Sequence, residues 1–199
     1  MVSVLSLATV GTAQVETEKL VKSIDALKSY EYGNTGGVDL RWVETQVGMA
    51  SKDASVRGAV ETRLIEALAA AKTNDAKQFF CRQLRTLGTA KAVPQLESML
   101  TDPAISHMAR YALGRIDAPQ AGRALYRALD KTSGSLKAGI INTLIKMDYR
   151  QAAGDIMKLA SSRDKDVAVA AIKAAGLFGG REAVKVLQKA RQSRSEERR

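Results

Sequence analysis

The chain has 199 residues, 45% of them apolar and 26% charged, with a formal net charge of +10. That is enough for one domain with a sizeable core. A single cysteine, Cys81, excludes an internal disulfide and a cysteine-cluster metal site, and a single histidine, His107, excludes a multi-histidine one; no run approaches the roughly 18 apolar residues that a bilayer span needs.

In chain order, the first segment is Val4–Val10, apolar apart from Ser6 and Thr9 and succeeded by the small residues Gly11-Thr12-Ala13. This is the chemistry of the end of a secretory signal, with residues 1–13 as its remnant and cleavage before Gln14. The expectation is an exported protein of the periplasm or cell envelope; a cytoplasmic protein with an apolar N-terminus is the alternative. Val15–Tyr30 then reads as an amphipathic helix with Leu20, Ile24 and Leu27 on one face. Gly33-Asn34 and Gly36-Gly37 mark a loop, and Val38–Met49 a second, weaker helix carrying Trp42, Val43 and Val47. No strand precedes this glycine-rich loop and no lysine comes after it, which argues against a phosphate loop. Residues 14–52 thus form a pair of helices expected to cap the first repeat.

From residue 53 the chain repeats itself. Gly88, Asp117, Asp148 and Gly179 stand 29, 31 and 31 residues apart, each closing an expected helix. One position before them stand Leu87, Ile116, Met147 and Phe178; four before, Leu84, Leu113, Leu144 and Ala175. Four after come Ala92, Ala121, Ala152 and Ala183; eight after, Leu96, Leu125, Ile156 and Leu187. A period near 30 with helical spacing inside each unit is the signature of an α-solenoid. The expected hairpins pair Asp53–Ala71 with Ala76–Leu87, Ala90–Leu100 with Ala104–Ile116, Pro119–Leu129 with Ser135–Met147, and Arg150–Ala160 with Asp166–Phe178. Arg181–Ala190 is a lone first helix. The fold class is therefore all-α, an α-solenoid of about four and a half hairpins over residues 53–190. The basic tail 191–199 has little to bury and is expected to fray. Gly88 and Gly179 suit left-handed C-caps, whereas Asp117 and Asp148 fill the same slot less comfortably. Asp164 and Asp166 are too few oxygens for a calcium loop and serve as helix N-caps.

Ser162–Gly176, with its acidic loop before Val167 and its alanine-rich helix ending near glycine, resembles the HEAT-repeat pattern, although Val167 stands where that pattern usually has proline. Repeats this short resemble the bacterial subclass named after phycobilisome-lyase HEAT-like repeats. Asp75–Leu84 and Ser106–Leu113 look like segments of exported bacterial HEAT-repeat proteins, often the N-terminal part of larger envelope proteins. The resemblance implies that second helices line a concave face, and that such repeats serve many unrelated tasks.

Within each second helix, the positions one, four and eight before the anchor are committed to the core. The position six before points elsewhere and holds Arg82, Tyr111, Asn142 and Lys173; four residues earlier come Gln78, His107, Ala138 and Val169. Gln78, Arg82, His107, Arg110, Tyr111, Asn142 and Lys173 are therefore the candidate protein-binding residues, because Arg and Tyr are common interface anchors. Histidine is the residue type most often used as a general base, but Ser106 lies about 100° round the helix from His107 and no Ser/His/Asp set is visible. Cys81 comes directly after Phe79-Phe80 and is expected in the core. No catalytic residue, metal or cofactor is expected. The reading is a non-catalytic scaffold for a protein or peptide. A nucleic-acid partner is the alternative, since residues 53–180 hold nineteen Lys/Arg against twelve Asp/Glu. A lyase similar to the bilin lyases rests on the repeat alone.

Overall fold

Several turns in the chain carry a side chain that starts the next helix, and the helices bury apolar stripes against one another. The computed structural model describes residues 15–196, and side chains as far as Gln192; it contains eleven α-helices. They are α1 (Thr17–Ala26), α2 (Leu40–Ala50), α3 (Ala54–Ala69), α4 (Asn74–Leu87), α5 (Val93–Glu97) and α6 (Ser106–Leu113). Then come α7 (Pro119–Asp130), α8 (Gly134–Lys146), α9 (Ala153–Lys158), α10 (Lys165–Phe178) and α11 (Arg181–Glu196). Asp39, Asp53, Thr73 and Asp164 each accept a backbone N–H from the first turn of the next helix, satisfying donors left open there. Among the described residues there is no β-strand, only an isolated bridge between Glu31 and Asn34. The signal-like segment 1–13, its cleavage point before Gln14, and residues 197–199 lie outside the described residues.

The helices stack in two layers, as an α-solenoid. First helices pack on first helices: α1 on α3, α3 on α5, α5 on α7, and α9 on α11. Second helices pack on second helices, in the order α2, α4, α6, α8, α10. The α1–α2 pair, although outside the repeat register, continues both layers rather than lying across their end. Between the layers runs one continuous core. Leu84, Leu113 and Leu144 are fully buried in it, as are Phe80, Ala109, Ile140 and Ala171 eight positions before the anchors. Ala92, Ala121, Ala152 and Ala183 are also buried, small residues where helices approach closely. The pattern loosens only towards the C-terminal end: Met147 is half-buried and Leu187 is 39% exposed, because among the described residues no further hairpin covers α11.

Polar ties hold successive turns in register. Arg57 of α3 donates from Nε and Nη2 to the Leu87 carbonyl at 3.1 and 3.0 Å, and Arg150 donates to the Phe178 carbonyl at 3.0 Å. In both hairpins an arginine from the first-helix side thus satisfies the open C-terminal carbonyl of the second helix. Buried Glu61 accepts the Thr89 N–H at 2.5 Å and its hydroxyl at 3.0 Å, fixing the entry to the next hairpin. Asp25 of α1 is held by Lys28 at 2.8 Å and by a short ion pair to Arg63 of α3.

Several expectations are corrected. The Ala90–Leu100 helix is a 3₁₀ turn, Ala90–Ala92, succeeded by the short α5, since Pro94 has no N–H and is tolerated only in a first turn. Arg150–Ala160 is likewise α9 with a 3₁₀ turn at each end, and α6 is shorter than Ala104–Ile116. α11 runs from Arg181 to Glu196, past the Ala190 end expected for the last helix; Gln, Arg and Glu are good helix formers. Gly88 is extended (φ −61°, ψ 145°), not left-handed. It is needed for space instead: a Cβ there would stand 2.4 Å from the Leu84 carbonyl oxygen. Gly179 does have positive φ (69°), and so does Asp148 (48°), alone among the described non-glycine residues.

Candidate functional site

Packing decides which side chains of the second helices reach solvent. In α4, Ala76, Phe79, Phe80, Gln83, Leu84 and Leu87 are buried, leaving Gln78 and Arg82 outside. In α6, Met108, Ala109, Ala112 and Leu113 are buried, leaving His107 exposed and Tyr111 50% exposed. In α8 and α10 the outer stripe carries half-buried Asn142 and exposed Lys173. The seven expected residues therefore share one face by register. The side chains of Gln78, His107, Asn142 and Lys173 make no hydrogen bond or ion pair among the described residues, to each other or to anything else.

Two contacts join neighbouring helices on this face. The guanidinium of Arg85, on α4, lies over the Tyr111 ring of α6 with its carbon 4.5 Å from the ring centroid. Arg85 was not among the residues expected from the sequence. It sits three positions before its anchor, and only the stacking of α4 on α6 places it beside a residue six before the next. The second contact is Arg110, half-buried and laid across Gly139 of α8: a Cβ on Gly139 would come within 2.6 Å of its guanidinium carbon. Burial pulls the Arg110 pKa down, and its Nε has no hydrogen-bond partner among the described residues. Arg82 extends over its own neighbour, with its guanidinium carbon 5.9 Å from the Phe79 ring centroid.

Charge is sorted between the layers. The second helices α4, α6, α8 and α10 carry Lys77, Arg82, Arg85, Arg110, Lys137, Lys146, Lys165 and Lys173 against only Asp75 and Asp166. The first helices α1, α3, α5, α7 and α9 carry seven basic and seven acidic residues, and only the last, α11, is basic, with Arg181, Lys185, Lys189, Arg191 and Arg194 against Glu182 and Glu196. Most of those acids are spent on the first layer and its turns. Arg127 of α7 pairs with Glu97 of α5 at 2.7 Å, the Tyr126 hydroxyl donates to Asp155 of α9, and Asp155 also holds Lys158 at 2.7 Å. No ion pair among the described residues engages any of the eight basic side chains of the second helices.

The residues weighed for catalysis sit apart. Cys81 is buried and its thiol is pushed up to about 12 by burial, so it stays protonated at neutral pH. Ser106 is buried too, its hydroxyl donating to the Leu100 carbonyl at 2.8 Å rather than towards exposed His107. Among the described residues no cluster of three or more His, Cys, Asp or Glu could hold a metal ion, and no helix is long and apolar enough to cross a membrane. An open depression of about 550 Å³ lies at the α3–α4 turn and is lined by Glu31, Tyr32, Lys72, Thr73, Asn74 and Asp75.

Residues 124–199, from α7 to the C-terminus, match the family model of HEAT repeats. This supports a HEAT-repeat protein, a class that generally provides scaffolds for protein interaction. No curated protein matches the chain.

Proposed function

We propose that this HEAT-like solenoid is a non-catalytic scaffold that holds a protein or peptide on the face of its second helices. The observation that carries the reading is the contrast between layers. First-layer polar side chains are largely spent within that layer, on local ion pairs and on ties between repeats such as Asp25–Arg63, Glu97–Arg127 and Tyr126–Asp155. On the second-layer stripe, Gln78, Arg82, His107 and Lys173 are exposed, and their side chains make no hydrogen bond or ion pair among the described residues. Polar side chains that support no neighbour are the ones free to meet a partner, and Tyr111 and Arg82 are of the types that anchor interfaces. A rigid stack of hairpins presents them as an extended surface.

The test is partner capture by tagged protein. Arg82→Ala with Tyr111→Ala should weaken it, each anchor contributing about 2 kcal/mol or more. Arg123→Ala with Lys158→Ala, on exposed first-layer sites, should not. Capture lost in the second pair and kept in the first would place the working surface on the other layer.

Nucleic acid is the second reading, favoured by the gathering of positive charge on one layer. Duplex binding that weakens steeply with salt would support it. The segment Val4–Ala13 supports an exported scaffold of the periplasm or cell envelope, and intact-mass measurement of the natively expressed protein should show cleavage before Gln14.

A further inference from the structure

We propose that the segment this face holds is acidic: an extended Asp/Glu-rich stretch of a partner protein, interrupted by apolar side chains. The inference rests on the scaffold reading above and names the chemistry of its partner.

The fold leaves a charge imbalance uncorrected on this face. Eight basic side chains stand on α4, α6, α8 and α10 against two acids. Both acids, Asp75 and Asp166, lie in first turns, at the end of each helix where the macrodipole already favours them. Asp75 moreover accepts the Tyr32 N–H at 2.9 Å. Neighbouring helix axes lie about 9–10 Å apart, close to the Debye length at physiological salt, so like charges on adjacent helices are only partly screened. From α1 to α9 the first layer holds equal numbers of both signs, so this chain readily supplies counter-charges where the fold uses them. The second layer is left for carboxylates from outside.

Two features favour a protein segment over a nucleic acid. Apolar surface is interleaved with the charge: Tyr111 is 50%, Val169 65% and Leu177 58% exposed. Such side chains give apolar residues of a peptide somewhere to pack, and a phosphate backbone offers them nothing. Helix N-termini, where backbone N–H groups would otherwise grip phosphates, are taken at α4 and α10, and a carboxylate stands just ahead of α6, whereas Ser133 makes no side-chain cap on α8. Thr73 caps α4, Asp164 accepts the Asp166 and Val167 N–H groups at the start of α10, and Asp102 accepts the Ala104 N–H just before α6. Two of these three caps bring negative charge where a phosphate would need to sit. With three interaxial steps from α4 to α10, the face spans roughly 30 Å. An extended segment of about nine residues covers that length.

The experiment uses the full chain and a fluorescein-labelled decapeptide of six Glu, a central Tyr-Leu pair and two Ser, read by anisotropy at 50, 150 and 500 mM salt. A peptide with Gln for every Glu, one with Lys for every Glu, and a 20-base-pair DNA duplex are the comparisons. The acidic peptide should bind at least tenfold more tightly than the neutral one at 50 mM salt and lose at least tenfold by 500 mM. Arg82→Gln, Lys146→Gln and Lys173→Gln together should weaken it at least tenfold, whereas Arg123→Gln with Lys158→Gln should stay within twofold. All three face residues are exposed, and thermal unfolding of the triple variant checks that it folds. Reversing them to Glu should transfer binding to the Lys peptide, a gain that mere misfolding cannot produce. Equal binding of the acidic and neutral peptides overturns the acidic inference while leaving the scaffold reading intact. Binding of the duplex tenfold more tightly than the acidic peptide overturns both. Absence of binding by every probe, or acidic-peptide binding untouched by the triple variant, overturns the inference, and partner capture then decides the scaffold reading separately.

Discussion

Leu113 and Tyr111 stand two residues apart on α6 and should respond oppositely to the same truncation. Leu113 is fully buried between the layers. Leu113→Ala removes three carbons from that core, about 2.4 kcal/mol at ~0.8 kcal/mol per buried CH₂. Incomplete collapse of the void brings such replacements to about 2.7–5 kcal/mol. For a chain of this size, each kcal/mol moves the midpoint by about 2–4 °C, so thermal unfolding should shift down by roughly 5–20 °C. Tyr111 is half exposed, and its clearest tie is the Arg85 guanidinium over its ring. That contact is worth about 0.5–1 kcal/mol at an exposed site, and alanine regains a few tenths in helix propensity. Tyr111→Ala should therefore leave the midpoint within a few degrees while partner capture falls. Circular dichroism melts and urea titrations of both variants check this. If Tyr111→Ala costs as much as Leu113→Ala, Tyr111 is a structural residue and its place in a binding face is lost.

The same packing sets other outcomes. A Cβ on Gly122 would lie 2.4 Å from the Tyr149 ring, which is itself packed against Tyr126, so Gly122→Ala should destabilise by about 1–3 kcal/mol. Gly139→Ala meets only the flexible end of Arg110, so its clash is offset by the ~1 kcal/mol propensity gain and stability should barely change in the same melts. Burial holds the Cys81 thiol at about 12, against an ordinary value of 9.0. The unfolded chain therefore releases this proton first, and stability should fall as pH rises above 9.0, a slope that Cys81→Ala removes; iodoacetamide should label Cys81 only on unfolding. The Asp25 carboxyl lies below its ordinary 3.8, because although burial opposes ionisation, hydrogen bonds from Lys28 and Arg63 outweigh it. A carboxyl depressed on folding stabilises the protein above pH 3.8, and that contribution is lost as pH falls through its lower folded value. Asp25→Asn should accordingly flatten the acid limb of a denaturation profile.

The linear sequence was enough to establish the all-α solenoid and its core. Helical periodicity is local, and a residue four before Gly88 must share a face with one eight before it whatever the helix packs against. Hence Leu84, Leu113 and Leu144 were legible, and so was the outward stripe of Arg82, Tyr111, Asn142 and Lys173. What depended on one helix lying against another was not. Arg85 joins Tyr111 only because α4 stacks on α6, and Arg110 lies on α8 only because Gly139 leaves room there. Gly88 owes its place to an approach to the Leu84 carbonyl rather than to backbone handedness, while Asp148 takes the left-handed turn. The sorting of charge was hidden for the same reason. Along the chain, basic and acidic residues are intermixed through residues 53–180, and the excess looks diffuse. Folding sends alternate helices to opposite layers, leaving the first layer balanced as far as α9 and tied to itself, and the second positive and open.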